Sequence, residues 1–345
     1  MIALDPLRCL LTDHTQSGCE ACLQACAQEA FTLRRNNRLA LDPERCNGCG
    51  GCIGGCPSEA LSLEGFDENH FTLLFIQSQQ TTLSCRHNTP CLAAFSPEHL
   101  VVMALRKERP FSCDLASCEG CSSDPEGHLL KLIHSRIEVA NDLLKQLDHP
   151  HLIATEASRQ ASDRRSFFTK LLHRAAQSRV TPEQPLKSVS HHKTPTPKRQ
   201  LLLANTLKPY QKSHPEATSP LFGHIELNQE ACTGCQECAR FCPTGALLMQ
   251  NPQGHLQLTP ESCVRCTICS LVCQEKAITA KRSATLESWQ QPRTLAAFEW
   301  RNCAQCGTFF AAKADQTHCR PCGEFVVEFG DMFTQERNRK AREPR

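Results

Sequence analysis

The sequence is poor in what builds thick apolar cores and in what drives charge-based binding. Aromatic residues are only 6% of the 345, so cores packed on large rings are not expected. Formal net charge is +2, from 38 basic and 36 acidic side chains. Without a global field there is no general attraction to nucleic acid or to an acidic membrane surface. The longest apolar run, Leu100 to Leu105, is six residues, far short of the roughly 20 that a membrane helix needs. Residues 1–13 show no apolar stretch behind a basic start, so no secretory signal is legible and a reducing, cytoplasmic setting is expected. A phosphate-cradling glycine loop, a dinucleotide fingerprint and a nucleophile with a neighbouring base are also missing. Enzyme chemistry of those kinds is not expected.

Cysteine is what the chain has in excess, with 25 residues. Modules too small for a sufficient core rely on metals or disulfides. An odd count and continuous, closely spaced runs favour metal. The chain is organised around Cys46-Asn-Gly-Cys49-Gly-Gly-Cys52-Ile-Gly-Gly-Cys56-Pro57. Its C-x2-C-x2-C-x3-C-P spacing is that of cubane iron–sulfur ligation. Two-residue spacers let three thiolates converge from one tight loop on iron corners a few Å apart.

Upstream, Cys19, Cys22 and Cys26 carry the second half of such a run, and Cys9 is the candidate for its missing first member. Residues 10–18 would then hold an insertion of seven residues. Short strands are predicted at 30–33 and 39–41, joined at Arg35-Asn36-Asn37. Residues 223–282 repeat the unit with ordinary spacing: Cys232, Cys235, Cys238 and Cys242-Pro243, then Cys263, Cys266, Cys269 and Cys273. The interval between runs is 20 residues in the first unit (26 to 46) and 21 in the second (242 to 263). Here strands are predicted at 246–249 and 255–258, turning at Asn251-Pro-Gln-Gly254, with outer strands at 225–227 and 277–278. Such duplication points to a shared structure. Zinc is the alternative metal, but four-cysteine zinc sites use two C-x2-C pairs, not continuous runs.

Both units resemble the bacterial-type dicluster ferredoxin family, and the whole chain resembles polyferredoxin electron-transfer subunits. The resemblance implies an α+β chain with two ferredoxin-like modules of the small βαββαβ type, each holding two 4Fe-4S clusters. In that family the last cysteine of each run crosses to the neighbouring cluster. The implied sets are Cys9, Cys19, Cys22 with Cys56; Cys46, Cys49, Cys52 with Cys26; Cys232, Cys235, Cys238 with Cys273; and Cys263, Cys266, Cys269 with Cys242. Ala27 stands where the family usually has proline. The implied role is electron transfer, not catalysis, with a redox enzyme such as a formate dehydrogenase or another molybdenum oxidoreductase, or another electron-transfer protein, as partner. A maturation or metal-trafficking factor and a cluster-based redox sensor are the rival roles. No DNA-binding motif supports a nucleic-acid partner.

The modules divide as 1–65, the first dicluster unit; 66–150, a small central α/β domain; 151–222, a linker; 223–284, the second unit; 285–330, a zinc-ribbon-like module; and 331–345, a charged tail. In the central domain a strand is predicted at Phe71–Ile76, a helix over 97–107 with Ser96 as N-cap, a strand at 111–115 and an amphipathic helix over 129–147. It loosely resembles thioredoxin-like ferredoxin domains and cysteine-bearing small subunits of hydrogenase and disulfide-reductase complexes. Cys85, Cys91, Cys118 and Cys121 are candidate ligands of a fifth iron–sulfur cluster; a redox dithiol, a zinc site and structural free thiols are the alternatives. Cys113, in mid-strand, is the expected non-ligand.

The segment from Glu156 to Pro220 carries 12 Lys and Arg against four Asp and Glu. With its Pro, Ser, Thr and His it is expected to be flexible, letting the second unit move. Within it, Arg164–Arg179 is expected as a basic amphipathic helix, and Ser162–Lys170 imitates a twin-arginine export signal without the apolar segment behind it. Finally, Cys303-Ala-Gln-Cys306-Gly307 and Cys319-Arg-Pro-Cys322-Gly323 read as paired knuckles for zinc, with mononuclear iron as the redox alternative.

Overall fold

The computed structural model describes residues 1–13, 17–35, 38–156, 193–250, 253–313 and 315–328. It is a mixture of short helices and small sheets. The expected basic helix at 164–179, the export-signal look-alike, His191-His192, the turn residues Asn36, Asn37, Asn251 and Pro252, and the tail fall outside the described residues.

The two cysteine-rich units share one plan. In the first, β1 (Ile2–Leu4) pairs antiparallel with β4 (Leu61–Leu63), and β2 (Phe31–Leu33) with β3 (Leu39–Leu41). The runs lie between these strands, with short helices α1 (Leu10–Asp13), α2 (Ala21–Gln24) and α3 (Gly51–Gly55). In the second, β9 (His224–Leu227) pairs with β12 (Ile278–Lys281), and β10 (Leu247–Gln250) with β11 (His255–Leu258), with short helices α8 (Glu237–Arg240) and α9 (Ile268–Leu271) in the runs. Each has a thin core in which cysteines pack beside a few Ile and Leu side chains.

The thickest core belongs to the central region. Strands β5 (Thr82–Ser84), β6 (Ser112–Asp114) and β7 (Ala154–Glu156) form a parallel sheet in that order. Helices α5 (Pro97–Arg106) and α6 (His128–Gln146) make the crossovers. Ser96 and His99 form a capping box at the start of α5. The segment predicted as a strand at Phe71–Ile76 is instead helix α4 (Glu68–Gln77), capped by Asp67, whose side chain accepts from the His70 N–H. A six-residue apolar run does not distinguish a buried strand from a helix by periodicity. The i, i+4 stacking of Phe71 on Phe75, with centroids 5.9 Å apart, belongs to the helix. Lys107 ends it by donating to the carbonyls of Phe75 and Ser78, both at 2.7 Å.

The region expected to be flexible from 151 to 222 is folded wherever it is described. Helix α7 (Lys198–Leu207) lies against α5, with Leu203 and Leu207 fully buried. Composition misled here because the apolar residues of 201–207 fall at helical spacing within a basic, proline-rich stretch. They bury against the central domain, not among themselves. The C-terminal module also begins later than residue 285. Strand β13 (Ala284–Thr285) pairs with β8 (Thr218–Ser219). Helix α10 (Leu286–Gln290) sends Trp289, fully buried, into the central core, stacked on Phe222 at 4.7 Å. Strand β14 (Arg293–Ala297) adds to the β10–β11 hairpin, and the knuckles are formed by the β15 (Glu299–Asn302) and β16 (Phe309–Ala312) hairpin with the helical stretch at 320–328.

Truncating Leu203 to alanine is expected to cost about 2–5 kcal/mol, measured by denaturant unfolding under anaerobic conditions. A change near zero would mean that α7 is not part of the core.

Candidate metal centres

The cysteine loops repeat the same backbone devices. In each regular run the residue before the second cysteine and the residue after it have positive φ: Gly48 and Gly50, Gly234 and Gln236, Arg265 and Thr267. Non-glycine residues in this region cost free energy, and most of all a β-branched one such as Thr267. Three residues past each closing cysteine the turn recurs, at Glu29, Glu59, Gly245 and Lys276. It aims a backbone N–H at the sulfur: Ala30 to Cys26 at 3.3 Å, Ala60 to Cys56 at 3.2 Å, Leu247 to Cys242 at 3.4 Å and Ala277 to Cys273 at 3.3 Å. Such N–H groups stabilise thiolate and orient it for a ligand.

These loops crowd the thiols. Burial first, then Cys56, Cys19 and Cys9, pushes the Cys22 thiol up to about 12. Burial and then Cys49, Cys26, Cys22 and Cys46 raise Cys52. In the second unit Cys238 is pushed to about 12 by burial, Cys235 and Cys232, with Cys273 near. Cys266 and Cys269 likewise reach about 12 through burial and through Cys263 and Cys242. Cys22 thus stands near Cys9, Cys19 and Cys56, Cys52 near Cys26, Cys46 and Cys49, Cys238 near Cys232, Cys235 and Cys273, and Cys266 near Cys242, Cys263 and Cys269. The insertion before Cys19 is accommodated by α1, whose Leu10 and Leu11 are buried beside Cys9.

Crowded, buried thiols resist ionisation unless a cation compensates them, and a metal centre is such a cation. The space also suits a polynuclear group. A cavity of about 300 Å³ is bordered by Cys242, Cys263, Cys266 and Cys269. A smaller one is lined by Cys232, Cys235, Cys238 and Cys273.

The C-terminal four differ. Sulfurs of Cys303, Cys306, Cys319 and Cys322 all lie within 4.8 Å of one another, with Cys306 and Cys319 at 3.6 Å. A single tetrahedral ion with metal–sulfur bonds of about 2.3 Å needs sulfurs about 3.8 Å apart, so this pocket fits one ion. Lys313 ties it to the second unit by donating to the Glu230 carbonyl at 3.0 Å, and Arg320 pairs with Glu275.

Charged residues that the cysteine pattern did not reveal join the units. Glu59, in the turn after Cys56, accepts from the Lys198 and Arg199 N–H groups, each at 2.9 Å, and so caps α7. The Arg199 guanidinium donates to the carbonyls of Gly54 and Cys56. The next residue, Gln200, donates to the Cys263 carbonyl at 2.9 Å. Arg265, inside the Cys263 loop, pairs at 2.9 Å with Glu98 of α5. Burial raises the Glu98 carboxyl, but Arg199 and Arg265 outweigh it and hold Glu98 well below the usual carboxylate range. The only sequence signal was placement, an arginine between two ligand cysteines at position 265.

Two segments match models of known families: residues 17–60 match a 4Fe-4S dicluster domain, and residues 224–274 match another family with the same description. A search of curated proteins found no match. The chain therefore carries two ferredoxin-like iron–sulfur domains, consistent with an electron-transfer role. Among the described residues no helix is long and apolar enough to cross a membrane.

Replacing Glu98 with glutamine leaves Arg199 and Arg265 without their carboxylate and is expected to cost about 3–5 kcal/mol at pH 7. Because its folded pKa is depressed, the carboxylate's contribution is complete above its unfolded pKa of about 4.3 and is lost as pH falls below it. Denaturation of wild type and Glu98→Gln should therefore show a gap that narrows below about pH 4.3; a gap constant down to pH 3 would assign the effect to packing.

Proposed function

We propose that this chain, with its two dicluster domains, is a polyferredoxin-like electron carrier or electron-transfer subunit holding four 4Fe-4S clusters. The ligands are the four sets implied by crossing: Cys9, Cys19, Cys22, Cys56; Cys26, Cys46, Cys49, Cys52; Cys232, Cys235, Cys238, Cys273; and Cys242, Cys263, Cys266, Cys269. Cys303, Cys306, Cys319 and Cys322 hold zinc as a structural knuckle. The observation that carries this reading is the repetition, at all four closing cysteines, of a left-handed turn that delivers an N–H to sulfur.

When bound, each cluster supplies one-electron, outer-sphere transfer at a potential set by hydrogen bonding, burial and nearby charge. The protein's part is placement. Cys22 neighbours Cys52 in the first unit, and Cys238 neighbours Cys269 in the second. Between the units Arg199 and Gln200 hold the backbones of Cys56 and Cys263 from adjacent positions of α7. Those contacts support a docked second unit in place of a swinging one, with the thiol sets in series. The partner is a redox enzyme, for which formate dehydrogenase or another molybdenum oxidoreductase is the first to test.

Protein purified without oxygen is expected to contain at least about 16 iron atoms and one zinc per chain and to show reversible one-electron reduction steps. A colourless, iron-free protein overturns the reading; so does transfer of its clusters to an apoprotein at the rate of a delivery factor. Cys52→Ser is expected to remove iron and the circular-dichroism signature of the first unit together, since metal binding is folding free energy in modules this small. An intact signature after loss of that iron would count against the coupling.

A further inference from the structure

The central domain carries four cysteines that the dicluster domains do not use. Cys85 immediately follows β5, and Cys118 and Cys121 lie just past β6; Ser84 and Asp114, the last residues of these strands, are parallel neighbours in register. The two loops therefore leave the sheet side by side at one edge, where ligand sites of parallel sheets form. Ser84 donates to the Asp114 carboxylate at 2.9 Å, and Arg86 donates to Ser117, so the loops are fastened to each other. The first loop is closed on itself: N–H groups of His87, Asn88 and Thr89 all donate to the Ser84 carbonyl. Cys91 ends that loop, and its carbonyl accepts from the Ala94 N–H at 3.0 Å.

All four sulfurs share one environment. Cys118 stands near Cys85 and Cys121. Cys91 stands near Cys85, Cys118 and the Cys49 thiol of the first unit. Cys113 does not belong to this group: it is 1% exposed in mid-strand, and burial alone raises it. Unlike the C-terminal knuckles, the four do not form a group within 4.8 Å, as a single ion would require; a polynuclear cluster needs wider spacing.

The site faces the first dicluster unit. Residues 92–94 pack so closely on α3 that a Cβ at Gly54 would lie 2.7 Å from the carbonyl oxygens of Ala93 and Ala94. Gln28 donates to the Ser123 carbonyl at 3.2 Å, holding the second loop to the Cys26 turn. Arg136, buried and donating to the carbonyls of Ala93 and Phe95, stands near both Cys52 and Cys91. A cation placed there offsets thiolate charge on both sides.

We infer that Cys85, Cys91, Cys118 and Cys121 ligate a fifth iron–sulfur cluster, set beside the Cys49 loop at the end of the series opposite the knuckles. This rests on the electron-transfer reading for its role but not for its chemistry.

The test is iron and sulfide analysis with Mössbauer spectroscopy on the full, anaerobically prepared chain, compared with Cys85→Ser/Cys121→Ser, Cys121→Ser and Cys113→Ser. Wild type should hold about 18 to 20 iron atoms, according to the nuclearity of the fifth cluster. The double variant should lose about 2 to 4 of them while keeping about 16, and Cys113→Ser should lose none. The single Cys121→Ser variant, with circular dichroism, separates loss of a ligand from loss of the fold. Wild type with about 16 iron and a double variant unchanged from it would overturn the fifth site alone, leaving the four-cluster reading intact. Zinc or a disulfide at these thiols would also overturn it, whereas a chain without iron would overturn both.

Discussion

Sixteen thiols packed into loops of a few residues would repel one another once ionised, and protonated they would be poor structural elements. The loops make sense only with a compensating cation at their centre. Everything local serves that requirement. Left-handed residues, including the costly Thr267, turn the chain between ligands. The N–H groups of Ala30, Ala60, Leu247 and Ala277 point at the closing sulfurs. The core of each unit is small, and cysteines are part of it. The metal would act as core as well as cofactor.

The central region answers a second problem, how two metal-dependent units come to be held together. Its own core is large, and it absorbs pieces from distant parts of the chain: Leu203 and Leu207 of α7, Phe222, and Trp289 of α10. Buried charge then sets the register. Glu98 lies between an arginine that grips the Cys56 turn and an arginine that belongs to the Cys263 loop. A buried ion pair is weak evidence of net stability, because desolvation offsets the attraction. Breaking one is costly, however, and a misdocked unit would leave Glu98, Arg199 or Arg265 buried and alone. The network therefore penalises wrong arrangements more than it strengthens the right one.

This explains which parts were legible in the sequence. Ligand spacing, the hairpins between runs and the paired knuckles are local, and each is written in contiguous residues. The helices 97–106 and 128–146 were visible through the Ser96–Pro97 start and the apolar spacing. Helix α4 was not, since Phe71–Ile76 reads equally as strand until Asp67 is seen to cap it. Helix α7 was hidden more deeply. Its neighbours in sequence are basic and proline-rich, and what folds it lies elsewhere: Glu59 at its N-terminus, α5 along its face and Ala204 bound by Gln290. Composition describes what a segment can bury by itself and is silent on what it can bury against. For the same reason the boundary at 285 was misplaced, because β14 completes a sheet begun at Leu247.

A rigid junction changes what the chain requires of its partners. A tethered second unit could have collected electrons at one place and released them at another. On the proposed function, Arg199 and Gln200 dock the second unit through the Cys56 and Cys263 carbonyls, and donor and acceptor would meet the chain at different surfaces. On the proposed assignment, the central thiols lie against the first unit and the knuckles against the second, through Arg320 and Glu275. The series then has two distinct ends. A metal without redox chemistry at the far end suits recognition: zinc at Cys303, Cys306, Cys319 and Cys322 would shape a docking surface beside the Cys232 loop without competing for electrons.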